Sequence, residues 1–132
     1  MVSHLLMGGD ETALPAIGSI LEALPEGLSV DVFVAIREDA DVQVIASKAD
    51  VEMTWLPRNG TEPGDTAALA EAMSAASLPQ ENSEVWFAAE ASIVRTVRRH
   101  FQLDRAMPRT RLSMSGYWKK GETDFRDREG DQ

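Results

Sequence analysis

A glycine-containing turn near the amino terminus is the feature of this sequence that most directly suggests ligand binding. Gly8 and Gly9 follow a short apolar run, and Asp10, Glu11 and Thr12 then lead into a segment with helical spacing. Glycines allow a backbone to approach a ligand closely, and the free N–H groups at a helix start favour a phosphate. Acidic residues at a helix start are also good caps. The local pattern therefore leaves two interpretations open, a phosphate-binding turn and a capped helix start.

Other kinds of catalytic site find little support in the sequence. It has no cysteine, and its two histidines, His4 and His100, lie far apart, so a zinc site is not predicted. The segment Ser113–Gly116 lacks the first glycine of a hydrolase nucleophile elbow. The third predicted strand ends in Leu56-Pro57-Arg58 rather than in the aspartate of a phosphoacceptor receiver domain. We predict neither a metal ligand nor a covalent nucleophile.

Alternating strands and helices must position the turn. Short apolar runs rich in β-branched and aromatic residues predict strands at 30–36, 51–56 and 85–89, with weaker candidates at 4–7 and 111–115. Apolar residues at helical spacing predict helices over 14–24, 69–76 and 93–101, the second with Asp65 or Thr66 as its N-cap. Parallel strands need long crossovers, and the helices supply them. The predicted fold is an open, doubly wound, five-stranded parallel sheet with helices on both faces. Residues 37–50 are the exception, predicted as a loop with an extra strand over 42–45.

The charge of the chain is unevenly distributed. The 132 residues carry a net charge of −9, which argues against nucleic-acid binding, whereas residues 91–121 hold eight basic residues and one acidic residue. This basic segment suits a small anionic ligand or an acidic partner, or is a solvated helix face. No apolar run is long enough to span a bilayer, so we expect a cytoplasmic protein without membrane contact. We expect one domain over residues 1–121 and a polar, flexible tail over 122–132.

Four motifs, in their order and spacing, resemble the C-terminal domain of siderophore-interacting proteins. They are Gly9-Asp10-Glu11-Thr12-Ala13-Leu14-Pro15-Ala16-Ile17, Trp55-Leu56-Pro57-Arg58, Trp86-Phe87-Ala88-Ala89-Glu90-Ala91-Ser92 with Val97-Arg98-Arg99-His100, and Ser115-Gly116-Tyr117-Trp118-Lys119-Lys120-Gly121. The resemblance covers about residues 4–121. That family resembles ferredoxin reductases, in which a flavin-binding barrel precedes a nicotinamide-nucleotide domain.

The resemblance implies a reaction shared between two domains. NADPH, or NADH, would bind this chain and pass a hydride to FAD on a barrel domain, which would reduce a ferric siderophore and release its iron. The flavin motif of that barrel has no counterpart here, because the only tyrosine is Tyr117, two positions after Ser115. The resemblance therefore implies a flavin domain supplied in cis or in trans. The chain would be an oxidoreductase only together with that domain and inactive alone.

The resemblance also implies roles for the first two motifs. Gly9, Asp10, Glu11 and Thr12 would lie near the pyrophosphate or the nicotinamide of the nucleotide. Arg58 would hold the adenosine 2′-phosphate, for which a guanidinium is well suited, and would favour NADPH over NADH. The alternative for Arg58 is a surface position in a turn.

The last two motifs place further residues beside the reacting rings. Ala89 and Glu90 would lie next to the nicotinamide, although the family commonly has glycine where this chain has Ala89, and the added methyl group would narrow the pocket. Glu90 could equally serve as a helix cap alone. Tyr117 and Trp118 would stack on the flavin or cover an edge of the sheet and a domain interface.

A second hypothesis belongs to a different functional class. The altered position Ala89 and the missing flavin motif suit a non-enzymatic nucleotide-binding or protein-docking module that keeps the scaffold. A homodimer formed through the surface that a barrel would cover is a third, weaker possibility.

Overall fold

Five parallel strands and three α-helices make up the fold in the computed structural model, which describes residues 2–63, 66–79, 81–123 and 125–127. The strands are β1 (His4–Gly9), β2 (Ser29–Ile36), β3 (Asp50–Pro57), β4 (Ser83–Glu90) and β5 (Leu112–Trp118). The helices are α1 (Leu14–Ala23), α2 (Ala67–Ala75) and α3 (Ala91–Arg99). A 3₁₀ turn over Glu11–Ala13 precedes α1, and a π-helical turn over His100–Asp104 extends α3.

The strand order is β3-β2-β1-β4-β5, and every pairing is parallel. The predicted doubly wound sheet is confirmed. The chain runs from β1 outward to β3 on one side, then returns to the other side of β1 as β4. The carboxyl ends of β1 and β4 therefore lie side by side, with Gly9 paired to Ala88. We call this place, where the chain changes from one side of β1 to the other, the switch point of the sheet. In open α/β sheets, ligands bind at such a point.

Helices cover both faces of the sheet and create two cores. On one face, α1 packs through Ile17 and Leu21 against the buried valines of β2. On the other face, α2 and α3 pack around Phe87, and Phe101 continues this core beyond α3. The side chains of successive strand residues point to opposite faces, so β2 contributes Val32 to the first core and Ala35 to the second. Burying each large apolar side chain stabilises the fold by roughly 1.5–3 kcal/mol, and this burial fixes the strand ends that carry the candidate site.

Two sequence-based predictions about local structure are wrong. Strand β1 continues through Gly8 and Gly9, so these residues form strand and not the predicted turn. The extra strand over residues 42–45 does not form: these residues pair with no strand, and β2 pairs directly with β3 along its whole length. The segment instead crosses the α1 face as a loop with one 3₁₀ turn over Asp39–Asp41, leaving Val44 fully exposed while Ile45 packs on the core.

Helix α2 begins after Thr66, which occupies the N-cap position without a capping hydrogen bond from its side chain. The other predicted cap, Asp65, lies outside the described residues. Within the described ranges, none of the helices combines the length and apolarity that crossing a membrane requires.

Candidate functional site

Asp10 joins the carboxyl ends of three strands. It follows β1, and only 1% of its surface is exposed. Its Oδ1 accepts hydrogen bonds from the backbone N–H of Thr12 (3.0 Å) and from the Thr12 hydroxyl, so the side chain caps the 3₁₀ turn that leads into α1. Its Oδ2 accepts from the backbone N–H of Glu90 on β4 (3.0 Å) and from the indole Nε1–H of Trp118 on β5 (2.9 Å). The capped-helix interpretation of this turn is confirmed, and the carboxylate also bridges the switch point.

Close packing explains the second of the two glycines before Asp10. A Cβ atom on Gly9 would lie 2.5 Å from the carbonyl oxygen of Ala88 and 2.8 Å from the Cβ of Ala13. A Cβ on Gly8 would lie 2.6 Å from the sulfur of Met73, but that flexible side chain can move aside. Glycine is therefore required where β1, β4 and the 3₁₀ turn meet, whether or not a ligand is bound. The contact of this turn with a nucleotide stays a prediction.

Glu90 places a second buried carboxylate at the switch point. It is 2% exposed, its Oε1 accepts from the N–H (3.0 Å) and the hydroxyl of Ser92, and its Oε2 accepts from the N–H of Lys120 (3.2 Å). Burial raises the pKa of Glu90, but hydrogen bonds from Ser92, Lys120 and Ile93 outweigh burial and hold this pKa below its ordinary value of 4.5. Glu90 therefore stays ionised as the N-cap of α3. Ala89 is completely buried, and its methyl group contributes to the core under α2 and α3.

A bulge separates the two aromatic residues at the end of β5. Ala89 pairs with Gly116, but Glu90 pairs with Trp118, so Tyr117 is an extra residue on β5. A bulge of this kind redirects the side chains that follow it. Tyr117 is 43% exposed, whereas the indole of Trp118 donates into the buried network at the switch point. The sequence did not indicate this difference between two adjacent aromatic residues.

Arg58 lies at the same edge of the sheet and forms an ion pair with Glu11. Its Nη2 donates to both carboxylate oxygens of Glu11, at 2.9 and 2.7 Å, and its Nη1 donates to the carbonyl oxygen of Thr61 at 2.8 Å. The Arg58 side chain is 8% exposed and that of Glu11 35%. Because β2 lies between β3 and β1, this ion pair reaches across the end of β2 and joins the end of β3 to the turn that follows β1. Arg58 thus points along the candidate site rather than away from it.

A cavity of about 270 Å³ lies beside Arg58, between the ends of β2 and β3 and the start of α2. Two polar atoms of residues that line it, Arg58 Nε and Thr66 Oγ1, are buried and have no hydrogen-bond partner among the residues that the structure describes. Leaving a buried donor unpaired costs about 1–3 kcal/mol, so these two atoms are the unsatisfied polar groups beside this cavity. Sequence reasoning treated Thr66 only as a helix cap, because nothing in the local pattern connects it with Arg58.

The carboxyl-terminal segment contacts the outer edge of the sheet. The N–H of Gly116 donates to Asp127 Oδ2 at 2.7 Å, and Phe125 lies against Gly116. Nearby, Arg98 Nη2 donates to the carbonyl oxygen of Met114 at 3.1 Å. These side chains satisfy outward-facing backbone groups of an edge strand, which would otherwise be open to pairing with another chain. The predicted flexibility of residues 122–132 stays a prediction.

The fold and the site together define a class of protein. The chain is an open, doubly wound α/β domain whose polar side chains converge where β1 and β4 meet, as in nucleotide-binding domains of this architecture. The siderophore-interacting protein family matches residues 2–121, and the chain belongs to that family. The resemblance found in the sequence motifs is confirmed.

Solved structures and curated relatives agree with this assignment. A siderophore utilization protein from T. fusca superimposes with a TM-score of 0.89 at 33% identity, covering 96% of this chain and 48% of that one. The siderophore-interacting protein SipS from Aeromonas hydrophila gives a TM-score of 0.82 at 32% identity, covering 93% and 48% of the two chains. Ferric acinetobactin reductase from Acinetobacter baumannii is 27% identical over 119 residues, which are 89% of this chain and 41% of the reductase. The relatives support a siderophore-related role, and the chain spans a little under half of their length.

Proposed function

We propose that this chain is the NAD(P)H-binding half of a ferric-siderophore reductase and works with a flavin-binding domain in cis or in trans. A relative named as a ferric-siderophore reductase, and the coverage of less than half of its length, support a two-domain protein. The observation that carries the cofactor assignment is the cavity beside Arg58. There the buried, unpartnered Nε of Arg58 and hydroxyl of Thr66 offer hydrogen bonds to an anion.

In this proposal Arg58 and Thr66 hold the phosphate at the adenosine end of the nucleotide. The start of α2 adds the positive end of a helix dipole on the same side of the cavity. The carboxylate of Asp10 already caps the helix start, so in this proposal the turn shapes the floor of the site beneath the pyrophosphate or the nicotinamide.

The nicotinamide end would lie at the switch point, where Asp10, Glu90 and Trp118 form one hydrogen-bonded network. When bound, a reduced nicotinamide nucleotide supplies the hydride, which a flavin on the neighbouring domain accepts. The network orients the indole of Trp118 and thereby fixes the surface against which the planar nicotinamide ring would lie. The buried carboxylates of Asp10 and Glu90 already accept hydrogen bonds from the chain itself. They therefore contribute negative electrostatic potential at the site and do not transfer a proton.

Calorimetric titration of the 132-residue chain with NADPH and with NADH tests the cofactor assignment. We expect NADPH to bind. We expect Arg58→Ala to lower the affinity for NADPH by at least about tenfold, because a charge-assisted phosphate contact is lost. Arg99→Ala removes the same charge from an exposed position on α3 and serves as the matched control. If neither NADPH nor NADH binds, the proposal is contradicted.

The reductase assignment needs a separate test. No side chain of this sequence can accept a hydride from NADPH, so we expect no reduction of a ferric siderophore by NADPH until a flavin-loaded barrel domain of the family is added. Flavin reduction, followed by its absorbance, should then depend on Arg58 in the same order as binding does. Nucleotide binding without flavin reduction would leave a binding domain but remove the reductase role.

The second candidate, a docking module without nucleotide, has one observation in its favour. Asp10, Glu11 and Glu90 already engage donors at this edge, at Thr12, Arg58 and Ser92 respectively. A chain that binds a flavin domain but neither nucleotide would fit this candidate.

A further inference from the structure

We propose that Glu11 is an internal competitor for the phosphate site of Arg58 and thereby sets the discrimination between NADPH and NADH. The inference rests on the proposed nucleotide-binding function and adds a residue that controls its specificity. In this view, Glu11 holds one edge of the guanidinium while the site is empty. A 2′-phosphate must displace Glu11 before it can bind there, whereas a nucleotide without that phosphate leaves the ion pair intact.

The donors of Arg58 show why displacement is necessary. The Nη1 group donates to the carbonyl of Thr61, and Nη2 donates to both oxygens of Glu11. The remaining donor, Nε, is buried and has no partner in the described part of the chain. A phosphate binds a guanidinium best in bidentate fashion, through Nε–H and Nη2–H of the same edge. Glu11 occupies one of these two donors and leaves the other unsatisfied, so the edge is only half used.

Burial makes the competition direct. The Arg58 side chain is 8% exposed, so in the paired state a dianion has almost no surface of Arg58 to approach. Glu11 is 35% exposed and can turn into solvent when it is displaced. A phosphate beside an unmoved Glu11 would also experience like-charge repulsion at short range. Both effects weaken the binding of NADPH, and neither acts on the 2′-hydroxyl of NADH.

Glu11→Gln tests the inference, because it keeps the shape of the side chain and removes its charge. Titrations use NADPH and NADH, and also adenosine 2′,5′-bisphosphate and adenosine 5′-monophosphate, which differ only in the 2′-phosphate. We expect the Kd of the two 2′-phosphorylated ligands to fall about tenfold in the variant, since one opposing charge at hydrogen-bond distance is removed. The Kd of the other two ligands should change by less than about twofold.

Two further variants make the result specific. Glu62→Gln removes a charge from an exposed position four residues after Arg58 in the sequence, with no contact to the guanidinium among the described residues, and should change the ratio of affinities little. In the Arg58→Ala background, Glu11→Gln should lose most of its effect, since Glu11 and the phosphate compete for the guanidinium that this background lacks. Circular dichroism and thermal unfolding establish that each variant is folded, and Glu11→Ala replaces Glu11→Gln if that variant is not.

The outcomes separate the inference from the proposed function. An unchanged NADPH-to-NADH ratio in Glu11→Gln, with both nucleotides still bound, overturns the competition and leaves the nucleotide site in place. Equal tightening of all four ligands also overturns it, because Glu11 would then act on the whole site. Failure of the wild type and of Glu11→Gln to bind any of the four ligands overturns the proposed function and the inference together.

Discussion

Replacing Asp10 by alanine should destabilise the whole domain, although Asp10 lies in a turn at the edge of the sheet. The carboxylate is 1% exposed and accepts from four donors, two of which belong to other strands. Alanine would leave the buried N–H of Glu90 and the indole N–H of Trp118 without partners. It would also remove the cap that Thr12 uses at the start of the helix.

The size of the effect follows from these contacts. An orphaned buried N–H costs about 2 kcal/mol, the partly exposed indole of Trp118 about 1 kcal/mol, and a lost cap about 1 kcal/mol. We therefore expect Asp10→Ala to lower the free energy of unfolding by about 4 kcal/mol, out of the 5–15 kcal/mol that is typical of a domain. Asp10→Asn keeps one accepting oxygen but turns an N–H₂ group toward a donor, and should cost about 2 kcal/mol.

Urea unfolding followed by circular dichroism measures both changes. The indole N–H resonance of Trp118 in a ¹⁵N correlation spectrum reports the lost hydrogen bond in the folded state. Asp41→Ala is the matched control, since Asp41 pairs with Arg37, whose side chain is 64% exposed, and should cost less than about 1 kcal/mol. An Asp10→Ala variant within about 1 kcal/mol of wild type, or an unmoved Trp118 resonance, would refute the reasoning.

Three further predictions concern single positions. Because the pKa of Glu90 in the fold lies below its ordinary 4.5, its ionised form stabilises the protein above that pH, and this contribution is lost as the pH falls through the lower value. The difference in urea stability between wild type and Glu90→Gln should thus narrow below pH 4.5, and a constant difference would argue against it. Gly9→Ala should lower the free energy of unfolding by about 1–3 kcal/mol or more, because the added methyl group overpacks the site. Gly18→Ala should instead stabilise α1 by about 0.5–1 kcal/mol, because its methyl group meets nothing within 4 Å. Thermal unfolding should therefore rank Gly18→Ala above wild type and Gly9→Ala below it. Asp127→Ala should speed hydrogen exchange at the Gly116 amide, and unchanged exchange would show that this bond does not protect the edge.

The elements of the fold could be read from the sequence because each depends on local periodicity. The run 30–36 reappears as β2 (Ser29–Ile36) and the run 51–56 as β3 (Asp50–Pro57), each within one residue at either end. The apolar spacing in α1 identifies the buried residues Ile17 and Leu21. Local pattern failed at residues 42–45, where an apolar run resembles a strand but lies over α1 as a loop and joins neither edge of the sheet.

Except for Thr66, the residues of the candidate site were singled out in the sequence through motifs that resemble the family, but their partners were not. The sequence by itself determined that Asp10, Glu11, Arg58, Glu90 and Trp118 lie at or just after the carboxyl ends of strands of one parallel sheet, since alternation and chain direction bring these ends to one edge. Only the tertiary structure decided that Arg58 pairs with Glu11, 47 residues away, and that Trp118 donates to Asp10, 108 residues away. Such pairings depend on the strand order and on a bulge in β5, neither of which leaves a local periodic signal.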